Sequence, residues 1–414
     1  MKFSINNVGK VNDAEIETNG VTVIAGYNDT GKTTILKAID VSLKSFAGRE
    51  IEIENERWKS INKLLLRKEL VFDEMGFSEL PESILYDIFD GLRELKINPQ
   101  RIQYENFENI YYKVITPFVT DGKNDKKMKA LLSDEFVRKL YDGLEEIIYR
   151  STQDYWEYLV TLNLRKMFGN QTVNLMNRKD SVIVWKQNEK SGKIVYNEKL
   201  LLADGEELPE GEVIYMETRN LLDDFERLQW GRNDWRIWLN RKEKIEVYEQ
   251  YNEIEKNKML LNDIFKDVLH GKLKRDEGAL KYQDEKISDA ISLHNIASGM
   301  KSLLILQRLV ENGTLKSGSW LLIDEPETNL HPEWHIKMAE ILVLMKKEMN
   351  INVIVSSHSA YFIRALEVKL AANQMKASGK FYLMEQSGNM FDAKDVTENT
   401  ERIYAQLYKP LEEL

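Results

Sequence analysis

A glycine-rich octapeptide near the N-terminus has the residue types and spacing that hold a chain of phosphates. Residues 26–33 read GYNDTGKT and match the pattern G-x-x-x-x-G-K-[ST]. Glycines let backbone N–H groups turn inward around phosphates, and a following helix N-terminus adds its dipole. The pattern predicts that Lys32 reaches the β- and γ-phosphates and that the Thr33 hydroxyl ligates Mg²⁺. The residues expected to contact the nucleotide are Gly26, Asn28, Asp29, Thr30, Gly31, Lys32, Thr33 and Thr34.

Two adjacent carboxylates follow an apolar run in the second half of the chain. Residues 319–326 read SWLLIDEP, which is typical of a strand that ends in Asp324 and Glu325. An aspartate at the end of a strand can hold Mg²⁺, and a neighbouring glutamate can polarise an attacking water. Alone, such a pair is more often a turn and a helix cap. Together with the phosphate loop, it predicts Asp324 as a metal ligand and Glu325 as a catalytic residue.

Two more polar sites stand where an element begins or ends. Residues 297–302 read ASGMKS and precede a helical pattern, so Ser298 and Gly299 place a hydroxyl and N–H groups at a helix start. Residues 352–359 read NVIVSSHS, a buried-type strand followed by His358, which can contact a γ-phosphate. In isolation the first is an N-cap and the second a capped strand end, and their position around the carboxylate pair favours a role in phosphate chemistry.

Strands and helices must position these groups. Residues 2–5 and 14–17 alternate apolar and polar side chains, as half-buried strands do. Val21–Ala25 is a compact β-branched run, typical of a strand buried on both faces, and residues 33–40 have helical apolar spacing. Strand, phosphate loop and helix therefore follow one another in the order that the loop requires.

The remaining chain alternates in character. Residues from about 50 to 165 have 3.6-period patterns, which predict a helical insertion, and a second helical stretch covers about 220–270. Between them, residues 172–215 read as strands, with a hairpin of 181–185 and 193–196 around a turn containing Ser191 and Gly192. The predicted division is an N-terminal head part (1–48), a helical insertion (49–165), a β-subdomain (166–218), a second helical insertion (219–272) and a C-terminal head part (273–414).

The four motifs, in this order, resemble a known family. The phosphate loop, ASGMKS, LLIDEPETNLHP and VIVSSHS look like an ABC-type ATPase head of the SMC/RecF/OLD kind, most strongly over residues 1–45 and about 285–366. The resemblance implies an α/β fold, an ABC-ATPase head with a P-loop parallel sheet core, an antiparallel β-subdomain and helical insertions. DEPETNLHPEWH followed by SSHSAYFI is most similar to stand-alone ATPases of bacterial anti-phage defence systems.

The resemblance also implies roles for the residues. Ser298 and Gly299 stand at the family's signature motif, which acts on nucleotide held by the phosphate loop of a second subunit. The chain is therefore expected to form a homodimer or a higher homo-oligomer through an ATP sandwich, with ATP and Mg²⁺ as cofactors. Catalysis would fall to Lys32, Glu325 and the switch histidine His358, and metal binding to Thr33 and Asp324. For the Q-loop glutamine, Gln171 and Gln187 both remain open.

The function expected from these motifs is ATP binding and hydrolysis that controls a partner effector, a nuclease, in anti-phage defence. The sequence has no nuclease signature, and residues 367–414 are too few for a TOPRIM domain, so the nuclease is expected in a second protein. One alternative is a DNA-repair or DNA-structure sensor that binds DNA directly. Another is a scaffold that uses ATP only to dimerise, which an intact Glu325 disfavours.

Two other clusters carry less weight. His331 and His335 have i, i+4 spacing, but the intervening Pro332 suits the first turn of a helix better than a zinc site. A second cluster alternates aromatic and basic side chains. Such a cluster can stack on nucleic acid, but packing in the core or against a partner helix is the favoured interpretation. Its members are Trp230, Arg232, Trp235, Arg236, Trp238 and Arg241.

Composition limits the function classes. The 414 residues include no cysteine, which excludes disulfides, thiolate metal sites, a cysteine nucleophile and the CxxC zinc hook of long SMC-like proteins. The N-terminus has no signal-peptide pattern and no apolar run is long enough for a membrane span, so we expect a cytoplasmic protein without membrane contact. The formal charge of −10 favours a protein partner over an extended DNA clamp.

Overall fold

The computed structural model describes residues 1–66, 82–121, 131–169, 171, 174–198, 201–208, 211–217, 259, 265, 268–276 and 279–411. The chain forms two compact units, one of residues 1–47 with 162–414 and the other of residues 48–161. No helix in these described ranges is long and apolar enough to cross a membrane.

The first unit is built on strands, which we number in chain order. They are β1 (Lys2–Val8), β2 (Val11–Glu17), β3 (Val21–Ala25), β4 (Ser181–Gln187), β5 (Lys190–Tyr196), β6 (Leu201–Gly205), β7 (Val213–Glu217), β8 (Gly271–Asp276), β9 (Ala279–Asp284), β10 (Ile291–Ser292), β11 (Trp320–Asp324), β12 (Asn352–Ser357), β13 (Gly379–Ser387) and β14 (Met390–Asp395).

Helices are numbered in the same way over the described ranges. They are α1 (Lys32–Phe46), α2 (Arg49–Leu66), α3 (Glu82–Glu94), α4 (Tyr104–Asp121), α5 (Asp134–Tyr149), α6 (Thr152–Phe168), α7 (Ser298–Glu311), α8 (Pro332–Met349), α9 (Ala360–Ala372) and α10 (Glu401–Tyr408). α8 begins at Pro332, so the segment with His331 and His335 is a helix start, as its sequence predicts.

One large mixed sheet carries the first unit. Eleven strands follow the order β6-β5-β4-β1-β2-β14-β13-β3-β12-β11-β7. β3 lies between β12 and β13 and is parallel to both, and β11 continues the parallel part beyond β12. Ala25 is in register with Ser357, and Asp324 with Ser356, so the carboxyl ends of β3, β12 and β11 meet at one edge. That edge is where an open α/β sheet binds ligands.

An antiparallel part completes the sheet at the side of β1. β1 pairs with β2 and β4, and β4 continues through β5 to β6, each pair antiparallel. The predicted α/β fold class, with a parallel P-loop core, an antiparallel β part and helical insertions, is confirmed in outline by this sheet and by the helices of residues 48–161.

Two details differ from the sequence predictions. The hairpin turn lies at Asn188 and Glu189 and not at Ser191 and Gly192. Gly192 instead lies inside β5 opposite Trp185, where a Cβ would be 2.2 Å from the indole nitrogen. β7 does not join the antiparallel strands but pairs in parallel with β11 at the other end of the sheet. The first difference is a local one, because β4 and β5 are joined by a two-residue turn. The second arises from long-range pairing, which local sequence patterns do not encode.

Helices cover the parallel core with apolar side chains. α1 buries Ile35, Leu36 and Ile39, and α7 buries the run from Leu303 to Leu306. Burial of each such side chain contributes about 1.5–3 kcal/mol relative to exposure. α1 thereby holds the phosphate loop against the end of β3.

The unit of residues 48–161 is helical, as the 3.6-period patterns predict. α2, α3, α4 and α5 share one apolar core, which includes Ile61, Ile88, Phe107 and Leu140. Arg57 is buried in this unit and donates to the carbonyl oxygens of Ile147, Ile148 and Arg150, at 3.1, 2.9 and 2.6 Å.

Two predicted features lie outside the described residues. These are most of the second helical stretch and the whole Trp230–Arg241 cluster of alternating tryptophans and arginines. Their interpretation stays a prediction, as does the division into five domains.

Candidate functional site

The phosphate loop turns directly out of β3, and its two glycines occupy positions where a side chain would not fit. Gly26 has a φ of 157°, and a Cβ there would lie 2.9 Å from the Met384 Cβ. Gly31 has a φ of 95°, and a Cβ would lie 2.9 Å from the Val11 Cγ2. Glycine is the residue that adopts such backbone angles without steric cost.

The loop closes on the carbonyl oxygen of Tyr27. The Thr30 hydroxyl donates to this oxygen at 2.8 Å and the Lys32 ammonium at 2.6 Å. Lys32 begins α1 and is buried, so its charge is held inside the loop at a helix N-terminus. Positive charge and helix dipole together favour an anion at this position.

Thr33 meets Asp324 at the edge where β3 and β11 end. The Thr33 hydroxyl lies 3.0 and 2.9 Å from the two Asp324 carboxylate oxygens, to which it donates, and Ser356 donates to the same carboxylate. A hydroxyl and a carboxylate side by side supply the hard oxygen ligands that Mg²⁺ prefers. The two side chains therefore fit the metal that the phosphate loop predicts.

Glu325 and His358 are paired next to this contact. His358 Nδ1 lies 3.1 Å from Glu325 Oε1. Glu325 has a φ of 52°, a left-handed conformation that is uncommon for a glutamate, and its N–H donates to the Ser356 carbonyl at 3.1 Å. The Glu325 side chain is largely buried, whereas that of His358 is 40% exposed. The strand ends thus aim a carboxylate and an imidazole at each other.

A third acidic residue, Glu327, lies behind His358. Its Oε1 accepts hydrogen bonds from the Ser357 hydroxyl at 2.5 Å and from the His358 N–H at 3.3 Å. Its Oε2 is buried without a hydrogen-bond partner among the described residues, and burial raises the pKa of this carboxyl. Glu327 belongs to the segment LLIDEPETNLHP that carries the family resemblance, but no role was predicted for it, although a second glutamate two positions after Glu325 was a usable signal.

Ser298 and Gly299 form the first turn of α7, at a distance from the phosphate loop along the chain. A Cβ on Gly299 would lie 2.6 Å from the Asn329 carbonyl oxygen and 2.9 Å from Leu330 Cδ2. The start of α7 is therefore packed on the segment that follows Glu325, and even alanine at position 299 would displace it.

A cleft of about 660 Å³ joins the two halves of the site. Its described lining includes neither Gly299 nor His358. Of the two glutamines left open as the Q-loop residue, Gln171 lines the cleft and Gln187 does not. The lining residues are Gly9, Lys10, Asn28, Asp29, Gly31, Lys32, Thr33, Thr34, Gln171, Leu175, Met176, Glu217, Asp324 and Glu325.

A family model matches most of the chain. The family model described as AAA ATPase domain matches residues 1–363. No curated protein matches the sequence.

Three solved structures resemble the chain over nearly its whole length. One is an SMC head bound to the C-winged helix domain of ScpA, with 10% identity, coverage of 97% of this chain and 98% of that one, and a TM-score of 0.47. The SMC head domain from Thermotoga maritima has 10% identity, 95% and 98% coverage and a TM-score of 0.38. An Smc head with an extended coiled coil, bound to the C-terminal domain of ScpA derived from Pyrococcus furiosus, has 11% identity, 100% and 98% coverage and a TM-score of 0.32. At these scores the structures add nothing to the family match.

The buried carboxyl of Glu327 predicts a specific pH dependence of stability. Because the pKa of Glu327 is raised in the folded state, the folded protein keeps a proton on this carboxyl at pH values above 4.5, the ordinary pKa, where the unfolded chain releases it. The free energy of unfolding should therefore fall as pH rises from 4.5, by at most about 1.4 kcal/mol per pH unit from this group. Glu327→Gln keeps the acceptor oxygen without titrating, so its stability relative to wild type should increase over the same range.

Urea unfolding at a series of pH values above 4.5 measures this difference. Glu398→Gln, which changes an exposed glutamate of the same unit, is the matched control and should track wild type. Glu325 and His358, which face Glu327, are present in all three proteins. Parallel curves for Glu327→Gln and wild type would show that Glu327 carries no extra proton.

Proposed function

Because the chain belongs to the AAA ATPase domain family, we propose that it binds ATP in the cleft and hydrolyses it to ADP and phosphate with Mg²⁺. The observation that carries the proposal is the contact of the Thr33 hydroxyl with the Asp324 carboxylate, beside the pair of Glu325 and His358. A phosphate-binding loop, a metal-ligand pair and a carboxylate are the parts that phosphoryl transfer to water needs.

Each side chain has a role in this proposal. Lys32 exchanges its hydrogen bond with the Tyr27 carbonyl for the β- and γ-phosphates, and Thr33 and Asp324 hold Mg²⁺. Mg²⁺, when bound, supplies positive charge to the phosphate oxygens. Glu325 orients and polarises the attacking water. His358, through Nδ1, holds the Glu325 carboxylate in place, and its exposed edge is available to the γ-phosphate.

We further propose that two copies of the chain close around ATP. Ser298 and Gly299 resemble the signature motif of ABC-type heads, and Gly299 is not among the described residues that line the cleft. In the proposed dimer they contact nucleotide bound by the other subunit. Since Gly299 packs on Asn329 and Leu330, closure at the signature would move the segment next to Glu325 and so link dimerisation to hydrolysis.

Substitutions at Lys32 and Glu325 test the proposed ATP turnover. Lys32→Ala should abolish ATP binding and hydrolysis, because it removes the cation of the phosphate loop. Glu325→Gln should still bind ATP but hydrolyse it more slowly, on the order of 100- to 10,000-fold. Equilibrium binding of labelled ATP and phosphate release measure the two effects, with the exposed lysine in Lys316→Ala and the exposed glutamate in Glu333→Gln as matched controls.

The same variants report on the dimer. With ATP and Mg²⁺, Glu325→Gln should accumulate as a dimer in light scattering, whereas Lys32→Ala should not. Ser298→Ala tests the signature more cleanly than a change at Gly299, whose side chain would collide with its own subunit. If both Lys32→Ala and Glu325→Gln turn over ATP at the wild-type rate, the ATPase proposal fails.

We propose that ATP-driven dimerisation controls a partner effector in anti-phage defence. The support is the resemblance of the segments at 324–335 and 356–363 to stand-alone defence ATPases. The described residues that line the cleft all belong to the unit of residues 1–47 and 162–414, so the helical unit of residues 48–161 contributes none of them. A nuclease is the effector class that the resemblance favours.

Plaque counts test the effector proposal. Cells carrying the gene with its native neighbours should restrict some phages by 100-fold or more (our threshold for a positive result), and the Lys32→Ala allele or removal of the neighbours should abolish restriction. The rival DNA-sensor function predicts instead that the purified chain alone binds duplex DNA at low salt and loses it as salt rises. DNA binding without restriction in any of these strains would favour the sensor.

A further inference from the structure

An apolar pair lines the same cleft as the phosphate loop. Leu175 and Met176 form part of a turn between α6 and β4, and they are 62% and 49% exposed. Both line the cleft that also contains Asn28 and Lys32. Large apolar side chains that remain in water beside a polar binding loop suggest a surface that a ligand covers.

Buried hydrogen bonds fix this turn in place. Asn174 is buried, and its side-chain amide donates to the backbone and side-chain oxygens of Asn7 at 3.2 and 2.9 Å. Asn177 donates to the same Asn7 side chain at 2.5 Å, and the Ser181 hydroxyl donates to the Asn7 carbonyl at 2.7 Å. Asn7 is itself buried, in a left-handed conformation with φ of 59°.

The turn is also ordered from within. The Asn174 side-chain oxygen accepts the N–H of Met176 at 2.8 Å, and the Asn177 side-chain oxygen accepts the N–H of Lys179 at 3.0 Å. The apolar tip is therefore held by satisfied polar groups below it. Preorganised apolar contacts of this kind cost little conformational entropy when a ligand binds.

We propose that Leu175 and Met176 form the seat for the base of the bound nucleoside triphosphate. This inference rests on the proposed function, which places the phosphates at Lys32. A cleft of about 660 Å³ has the size of a small-molecule site, and residues of the phosphate loop form part of its lining. The other part of a nucleotide is a flat base with apolar faces, and Leu and the polarizable Met suit such a surface.

Contact with the faces of the base has a consequence for specificity. Hydrogen bonds to the base edge would distinguish adenine from guanine, whereas packing on its faces does not. The seat therefore contributes affinity for a purine nucleotide over bare triphosphate, and it contributes equally for ATP and GTP.

The experiment compares ATP, GTP and inorganic tripolyphosphate on the full chain. Wild type should bind ATP more tightly than tripolyphosphate. Leu175→Ser with Met176→Ser should weaken ATP and GTP by on the order of 10-fold or more, from lost apolar contact, and leave tripolyphosphate unchanged. In turnover, KM should rise while kcat stays the same.

Two further variants control the result. Leu202→Ser removes a Leu that is 51% exposed on the edge strand β6 and does not line the cleft, and it should bind ATP as wild type does. Leu175→Met with Met176→Leu keeps the apolar surface and should retain affinity for ATP.

Three outcomes would overturn the proposal. The first is unchanged ATP binding by the double serine variant. The second is that this variant binds ATP and tripolyphosphate more weakly by the same factor. The third is that it loses a dimer which wild type forms without nucleotide. The second would mean that the turn acts on the phosphate loop, and the third that it contacts another subunit. Any of them leaves the ATPase proposal intact if Lys32→Ala still abolishes binding.

Discussion

The parallel alignment of β3, β12 and β11 is the constraint on which the site depends. It puts the phosphate loop, Asp324 and His358 at one edge of the sheet, although they come from three distant segments. The hydrogen bonds of Thr33 with Asp324 and of Gly26 with the Ser357 carbonyl join those segments directly. A shift of one residue in the register of β11 would turn Asp324 to the other face and dismantle the metal-ligand pair.

The same edge gathers three carboxyl groups, which a folded chain seldom buries side by side. Asp324, Glu325 and Glu327 are all buried and lie within four residues of one another. Ser356, Ser357 and His358 on β12 and just after it provide their hydrogen bonds. Glu325 also adopts a left-handed backbone conformation. Such local cost is typical of functional sites, where a bound cation and a reacting group offset it.

Sequence patterns predicted the local parts of this structure and few of the long-range ones. Val21–Ala25 is a strand with the predicted bounds, and the helix after Lys32 is present, because burial pattern and glycine spacing are local signals. The pairing of β7 with β11 depends on a strand that lies far along the chain. Glu327 was missed for the same reason, since its partners Ser357 and His358 lie about 30 residues further along the chain.

The central claim is that Thr33 and Asp324 hold the metal of a bound nucleotide. Electron paramagnetic resonance of Mn²⁺, in place of Mg²⁺, with a non-hydrolysable ATP analogue tests it most directly. The account predicts tight Mn²⁺ binding that requires the analogue and weakens by roughly 10-fold or more in Asp324→Asn. Wild-type Mn²⁺ affinity and an unchanged spectrum in Asp324→Asn would contradict the account.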